Sequence, residues 1–222
     1  MRRRLPLILI GLSIACVPVE PDSDLFDPVP GYDGDHLAGR AAGEPPSPLP
    51  DAVQTVYIEP APSFLNDRRW RQEVEAAFRA WEQVLDGARH YVVVGDRSVA
   101  DVVVGFRDGE IQEAGACPTQ VIDRELLAVT FAQDVPPCLR GRIYFRVDIG
   151  AARWTMHGAV EAGAVDVQTV AMHEAGHLLG LGHNDTVPRH IMNTAYGGVV
   201  RALTPGEGQD ALDRLHAPKQ RP

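Results

Sequence analysis

The stretch His173-Glu-Ala-Gly-His177-Leu-Leu-Gly-Leu-Gly-His183 constrains this chain more than any other part of it. Residues four apart on a helix lie one turn from each other on the same face. His173 and His177 can therefore offer two imidazole nitrogens to one ion. Glu174 stands beside the first of them, where it reaches a water at that ion rather than the ion itself. A helix continued past His177 would carry His183 away, so the chain must turn, and Gly180 allows the positive φ that such a turn needs. Three imidazoles leave one tetrahedral position open, the pattern of a catalytic zinc site rather than a structural one. At this chain's own residue frequencies, two histidines flanking a glutamate at this spacing arise by accident in about 1–2% of sequences. The full pattern does so in about one in twenty thousand, so chance is a poor explanation.

The 222 residues, 45% of them hydrophobic, suffice for one domain with a proper core. A formal charge of −9 argues against a nucleic-acid partner, because phosphate binding needs a basic face. At the N-terminus, Arg2, Arg3 and Arg4 precede an apolar run over residues 5–14, too short to span a bilayer. Residues 1–15 are expected to be a signal peptide. Ala15-Cys16, with Leu12 and Ser13 upstream, resembles a bacterial lipobox, and cleavage there would leave Cys16 as an acylated N-terminus. The alternative is an ordinary secretory signal in which Cys16 is incidental. Either way the chain is expected outside the cytoplasm, as a bacterial membrane-anchored lipoprotein on the periplasmic side or cell surface, or secreted.

Removing residues 1–15 takes away three arginines and no acid, which moves the charge from −9 to −12. Cys117 and Cys138 then remain. An even count in an oxidising compartment predicts a disulfide worth about 3 kcal/mol, the alternative being two free thiols. Residues 16–50 are rich in Pro and Asp, with Glu44-Pro-Pro-Ser-Pro-Leu-Pro50 at their end, and read as a tether. The folded domain is expected over 51–218, with 219–222 as a tail.

Within that domain, residues 55–59 read as a strand stopped by Pro60 and Pro62. Trp70, Val74, Phe78, Trp81 and Leu85 recur at helical spacing over 67–85, with Asn66 or Asp67 as N-cap. The two tryptophans are read as core. Strands are expected at 90–94, 101–106, 127–132 and 142–147, and helices at 165–179 and 205–215, the last capped by Thr204. This order predicts an α+β domain: a mixed, twisted five-stranded sheet, a long first helix, an active-site helix and a C-terminal helix.

The active-site stretch is the metzincin pattern, and its surroundings resemble the matrixin branch. Asp166-Val-Gln-Thr-Val-Ala-Met-His173 leading into Leu178-Leu-Gly-Leu-Gly-His183 resembles the matrixin active-site helix. Phe78-Arg-Ala-Trp81-Glu resembles the first helix, and Leu203-Thr-Pro-Gly-Glu207 the last. The resemblance covers about residues 53–216. It implies that Met192 forms the Met-turn beneath the imidazoles and that Tyr196 belongs to the wall of the S1′ pocket. Val199 and Val200 are further candidates for that pocket.

The departures carry their own expectations. The loop from His183 to Met192 is one residue longer than a matrixin's, and Asn184 stands where Ser is usual. The family's second, structural zinc needs histidines in the segment 106–131, which has none, and Val129 stands at one ligand position. One zinc is therefore expected, held by His173, His177 and His183. Asp108, Glu110, Glu113 and Asp123 suit calcium better than zinc, which leaves calcium open. His36, His90, His157, His190 and His216 are given little weight as ligands, though His190, near the site in sequence, is a candidate to line the cleft.

Together these features predict a monomeric zinc endopeptidase acting on extended polypeptides, with Glu174 as the base that activates the attacking water. Substrate would lie along an edge strand at 127–132. The competing expectation, from another class, is an exported zinc-binding lipoprotein without turnover.

Overall fold

The computed structural model describes residues 52–111, 120–122, 126–132, 141–156 and 162–217. The expected signal peptide, tether and tail lie outside these residues, as do Cys16, Cys117, Cys138, Glu113, Asp123, His36 and His157.

Strand β1 (Val53–Ile58) enters the core with Val56 and Ile58 fully buried. Helix α1 (Asp67–Val84) follows, its N-cap supplied by Asn66, whose side chain accepts from the Arg69 N–H at 3.0 Å. Asp67 instead accepts from the Ala61 N–H. The predicted apolar stripe is buried throughout, from Trp70 to Leu85. Trp70 and Trp81 are both inaccessible, and each indole N–H finds a backbone carbonyl, Glu59 at 2.9 Å and Met172 at 2.8 Å. Burying such rings without losing that hydrogen bond is what lets a tryptophan anchor a core.

Strands β2 (His90–Val93) and β3 (Val102–Arg107) then flank β1 on either side, both parallel to it. Two short strands, β4 (Glu110–Ile111) and β5 (Gln120–Val121), pair with each other, and β6 (Ala128–Phe131) and β7 (Arg142–Arg146) complete the main sheet. Its order is β2-β1-β3-β7-β6, parallel except for the antiparallel β6–β7 pair. The sheet is thus mixed and five-stranded, as expected, with β6 at one edge.

Strand alternation divides β6 and β7 between two cores. Ala128, Ile143 and Phe145 join the main cluster beneath α1. Val129, Phe131 and Tyr144 face the other way, into a second cluster with Ile111, Ile122 and Leu126. Val129 pairs with Tyr144 across the strands and is buried in apolar surroundings.

Strands β8 (Arg153–Thr155) and β9 (Ala164–Asp166) pair in parallel, and β9 runs directly into helix α2 (Val167–Leu178). The sequence pattern places the start of that helix at 165. The difference comes from Asp166, whose extended backbone and carboxylate cap the helix by accepting from Thr169 N–H at 3.0 Å. Helix α3 (Pro205–His216) closes the domain behind a capping box made by Thr204 and Glu207. Among the described residues no helix is long and apolar enough to cross a membrane.

Candidate active site

Helix α2 carries His173 and His177, and its C-terminal end decides where the third histidine goes. Leu179 is the C-cap, and Gly180 follows at φ +86°. The Gly180 N–H donates to the His177 carbonyl at 3.0 Å and the Leu181 N–H to the Gly176 carbonyl at 3.1 Å. These are the two bonds of a Schellman ending, which satisfies the last carbonyls and reverses the chain. His183 is thereby returned to the helix. One ring nitrogen from each of His173, His177 and His183 lies within 4.8 Å of the others. The first imidazole is half-buried, the second buried and the third exposed, so the group opens to solvent on one side.

The same turn fixes the second imidazole. His177 Nδ1 stands 2.8 Å from the Leu181 carbonyl, and His173 Nδ1 stands 2.7 Å from the Ile191 carbonyl. A carbonyl can only accept, so each Nδ1 carries the proton and each Nε2 turns its lone pair toward the centre. Those two Nε2 atoms are 3.2 Å apart. At zinc–nitrogen distances of about 2.0–2.1 Å, two ligands on a tetrahedron are separated by roughly 3.3–3.4 Å. For His173 and His177 tautomer and spacing fit a zinc ion, and His183 adds a third donor of the same type.

Glu174 is buried within this group, at 2% exposure. Its Oε2 accepts a hydrogen bond from the Thr130 hydroxyl at 2.5 Å. Sequence spacing placed Glu174 but gave no sign of Thr130, which comes from β6.

Met192 is wholly buried against the helix that carries the first two imidazoles. A Cβ built on Gly176 would fall 2.4 Å from Met192 Sδ and 3.2 Å from Trp81 Cζ2. A mid-helix glycine costs about 1 kcal/mol against alanine. Here it admits the methionine sulfur to the helix backbone. Gly176→Ala is expected to lower the melting temperature by the equivalent of roughly 1–3 kcal/mol and to weaken zinc retention against a chelator. A variant that melts at or above the wild-type temperature would show that Met192 yields without cost.

The Met192 turn is held from several directions. Its Ile191 carbonyl accepts from His173, and the Ile191 N–H donates to Glu207 Oε1 at 2.6 Å. The α3 capping box therefore also steadies the first imidazole. The Asn184 N–H donates to the Met192 carbonyl at 2.8 Å. Asp185 accepts from the Thr194 hydroxyl at 2.6 Å and from the Thr194 N–H at 2.8 Å. These bonds hold its carboxyl below the usual range.

His190, given little weight as a ligand from sequence, is half-buried here, and its Nδ1 accepts from the Met192 N–H at 3.0 Å. His90 and His216 are exposed and distant in sequence from the turn, as expected of solvated residues.

Beside the imidazoles runs a cleft, open to solvent and bounded by β6, α2 and the segment 189–200. Tyr196 and Val200 line it, together with Leu127, Val170 and Ala195; Val199 does not. The Tyr196 hydroxyl accepts from the Asp166 N–H at 2.9 Å. Burial pushes that phenol up to about 12, so it stays neutral at ordinary pH. The Val200 N–H donates to the Thr169 hydroxyl at 2.9 Å. Arg201 pairs with Asp166, with Glu73 at 2.7 Å and with Gln168 at 2.8 Å. The outer wall of the cleft is thus bolted to the start of α2.

The matrixin family model matches residues 51–206, nearly all of the described domain. The chain belongs to the matrixin family. Over 156 residues it is 27% identical to metalloendoproteinase 2-MMP of Arabidopsis thaliana, covering 68% of this chain and 33% of that relative. Over 118 residues it is 30% identical to metalloendoproteinase 4-MMP of the same plant, covering 51% of this chain and 30% of the relative. The chain thus spans about a third of the length of the curated relatives it matches. Matrixins are zinc-dependent peptidases, and the three-histidine group fits that membership.

Proposed function

We propose that this chain is a zinc-dependent endopeptidase that cleaves extended polypeptides, with His173, His177 and His183 as zinc ligands and Glu174 as general base. The observation that carries this is the convergence of three imidazoles within 4.8 Å, next to a buried carboxylate and an open cleft. Zinc in such a site supplies Lewis acidity, which acidifies water and stabilises negative charge on oxygen.

The chain's own groups do the rest. The outer edge of β6 has no strand beside it among the described residues, and it can pair with an extended substrate backbone. The apolar cleft behind it takes the side chain following the scissile bond, with Tyr196 and Val200 on its wall. Glu174 removes a proton from the attacking water as the new C–O bond forms at the scissile carbonyl. It then delivers that proton to the amide nitrogen as the C–N bond breaks. The Nδ1 bonds of His173 and His177 keep both rings in the tautomer and orientation this requires.

The test is hydrolysis of casein or gelatin by the purified chain, abolished by 1,10-phenanthroline and restored by zinc. A zinc-loaded chain that cleaves neither substrate nor any member of a peptide library would leave the alternative, a zinc-binding protein without turnover. We further propose export as a lipoprotein acylated on Cys16, supported by the basic run, the apolar run and Ala15-Cys16. A mature N-terminus found unacylated downstream of Cys16 would overturn that.

A further inference from the structure

The base of this site is gripped by the strand opposite it. Thr130 lies in β6 with 1% of its surface exposed, and alternation turns it toward α2, on the same face as Ala128. Its Oγ1 is 2.5 Å from Glu174 Oε2 and 3.1 Å from the Glu174 backbone carbonyl. A hydroxyl has one proton, and the shorter contact to the carboxylate takes it.

A strand position of this kind is filled as well or better by valine, which has the same shape. Valine would also spare the desolvation of a buried hydroxyl. The hydroxyl therefore calls for an explanation, and its contact supplies one. The terminal torsion of a glutamate is broad, with no sharp staggered minimum. Helix α2 fixes where the Glu174 side chain begins but not how its carboxylate plane is turned. A short bond to one oxygen selects that rotation and commits Oε2 to Thr130.

We propose that Thr130 is a positioning residue for catalysis. It holds the Glu174 carboxylate in the rotation that presents the other oxygen to the attacking water. Because Thr130 belongs to the strand proposed to pair with substrate, the base is aligned to the same element as the scissile bond. This rests on the endopeptidase assignment above, and its test separates the two.

The experiment uses the zinc-loaded chain and a fluorogenic peptide, with Thr130→Val removing the donor and Thr130→Ser restoring it. T130V should lower kcat about ten- to a hundredfold, the range for losing a hydrogen bond to a charged group, with KM within about twofold. T130S should recover most of that loss. Crystal structures give a readout independent of turnover. The carboxylate should keep its bond to residue 130 in wild type and T130S, and rotate away in T130V. If T130V does not fold, Thr130→Ala also removes the donor and is read in the same way. A kcat within twofold of wild type in T130V would overturn the proposal. So would an equal loss in T130S, or a Glu174 carboxylate unmoved in T130V. Should wild type cleave no peptide, the endopeptidase assignment falls, and the carboxylate rotation alone decides whether Thr130 orients Glu174.

Discussion

Glu174→Ala should reduce peptide hydrolysis by roughly a thousand- to ten-thousandfold while leaving the zinc content unchanged. The two halves of this expectation come from different atoms. Zinc retention depends on three imidazoles, two of them locked by backbone carbonyls that the substitution does not touch. Turnover depends on a group able to take and return a proton, and the described cleft holds no other carboxylate beside the imidazoles: Asp185 is tied to Thr194 and lies on the exposed side. Glu174→Gln separates basicity from packing, because its amide oxygen can still accept from Thr130 while the side chain can no longer act as a base. Both variants should therefore be inactive, and Glu174→Gln should melt closer to wild type. Activity within tenfold of wild type in either would remove Glu174 from the mechanism.

Much of the site was legible because it is local. His173, His177 and Gly180 are related by helix periodicity and by the geometry of a helix ending, which spacing alone encodes. The buried face of α1 and the Thr204 cap followed from the same kind of rule. What spacing did not reveal is carried by contacts across the chain. Thr130 meets Glu174 over a separation of 44 residues, and Glu207 meets Ile191 over 16. Nothing in either local sequence marks the partner. Nothing in the local sequence sets Gly176 apart from other helix glycines; the Met192 sulfur packed against it does. His190, a candidate for the cleft wall, does line it, but nothing in the local sequence marks its Nδ1 as the acceptor of the Met192 N–H. The short strands β8 and β9 escaped notice for a related reason: three residues cannot display a period of two, and their pairing is non-local.

Metal analysis of the chain purified without added zinc should give close to one zinc per molecule, and stripping that ion should abolish hydrolysis. Three imidazoles, two of them at a spacing that suits zinc, supply one face of a tetrahedron, so one ion should be held tightly. Among the described residues this is the one group of three or more candidate side chains able to hold an ion. The outer face of β6 offers apolar packing instead, with Val129 set among Ile111, Ile122, Leu126, Phe131 and Tyr144. Asp108 is already engaged, accepting from the Val147 N–H at 3.0 Å and the Asp148 N–H at 3.2 Å. Among the described residues, buried hydrocarbon packs against the edge strand from outside. Removing the ion should also lower the melting temperature, since a ligand bound only to the folded chain stabilises it. Titration back with zinc should restore activity linearly to one equivalent and add nothing beyond it. Two tightly held zinc ions per chain, both needed for full activity, would overturn the expectation of a single zinc.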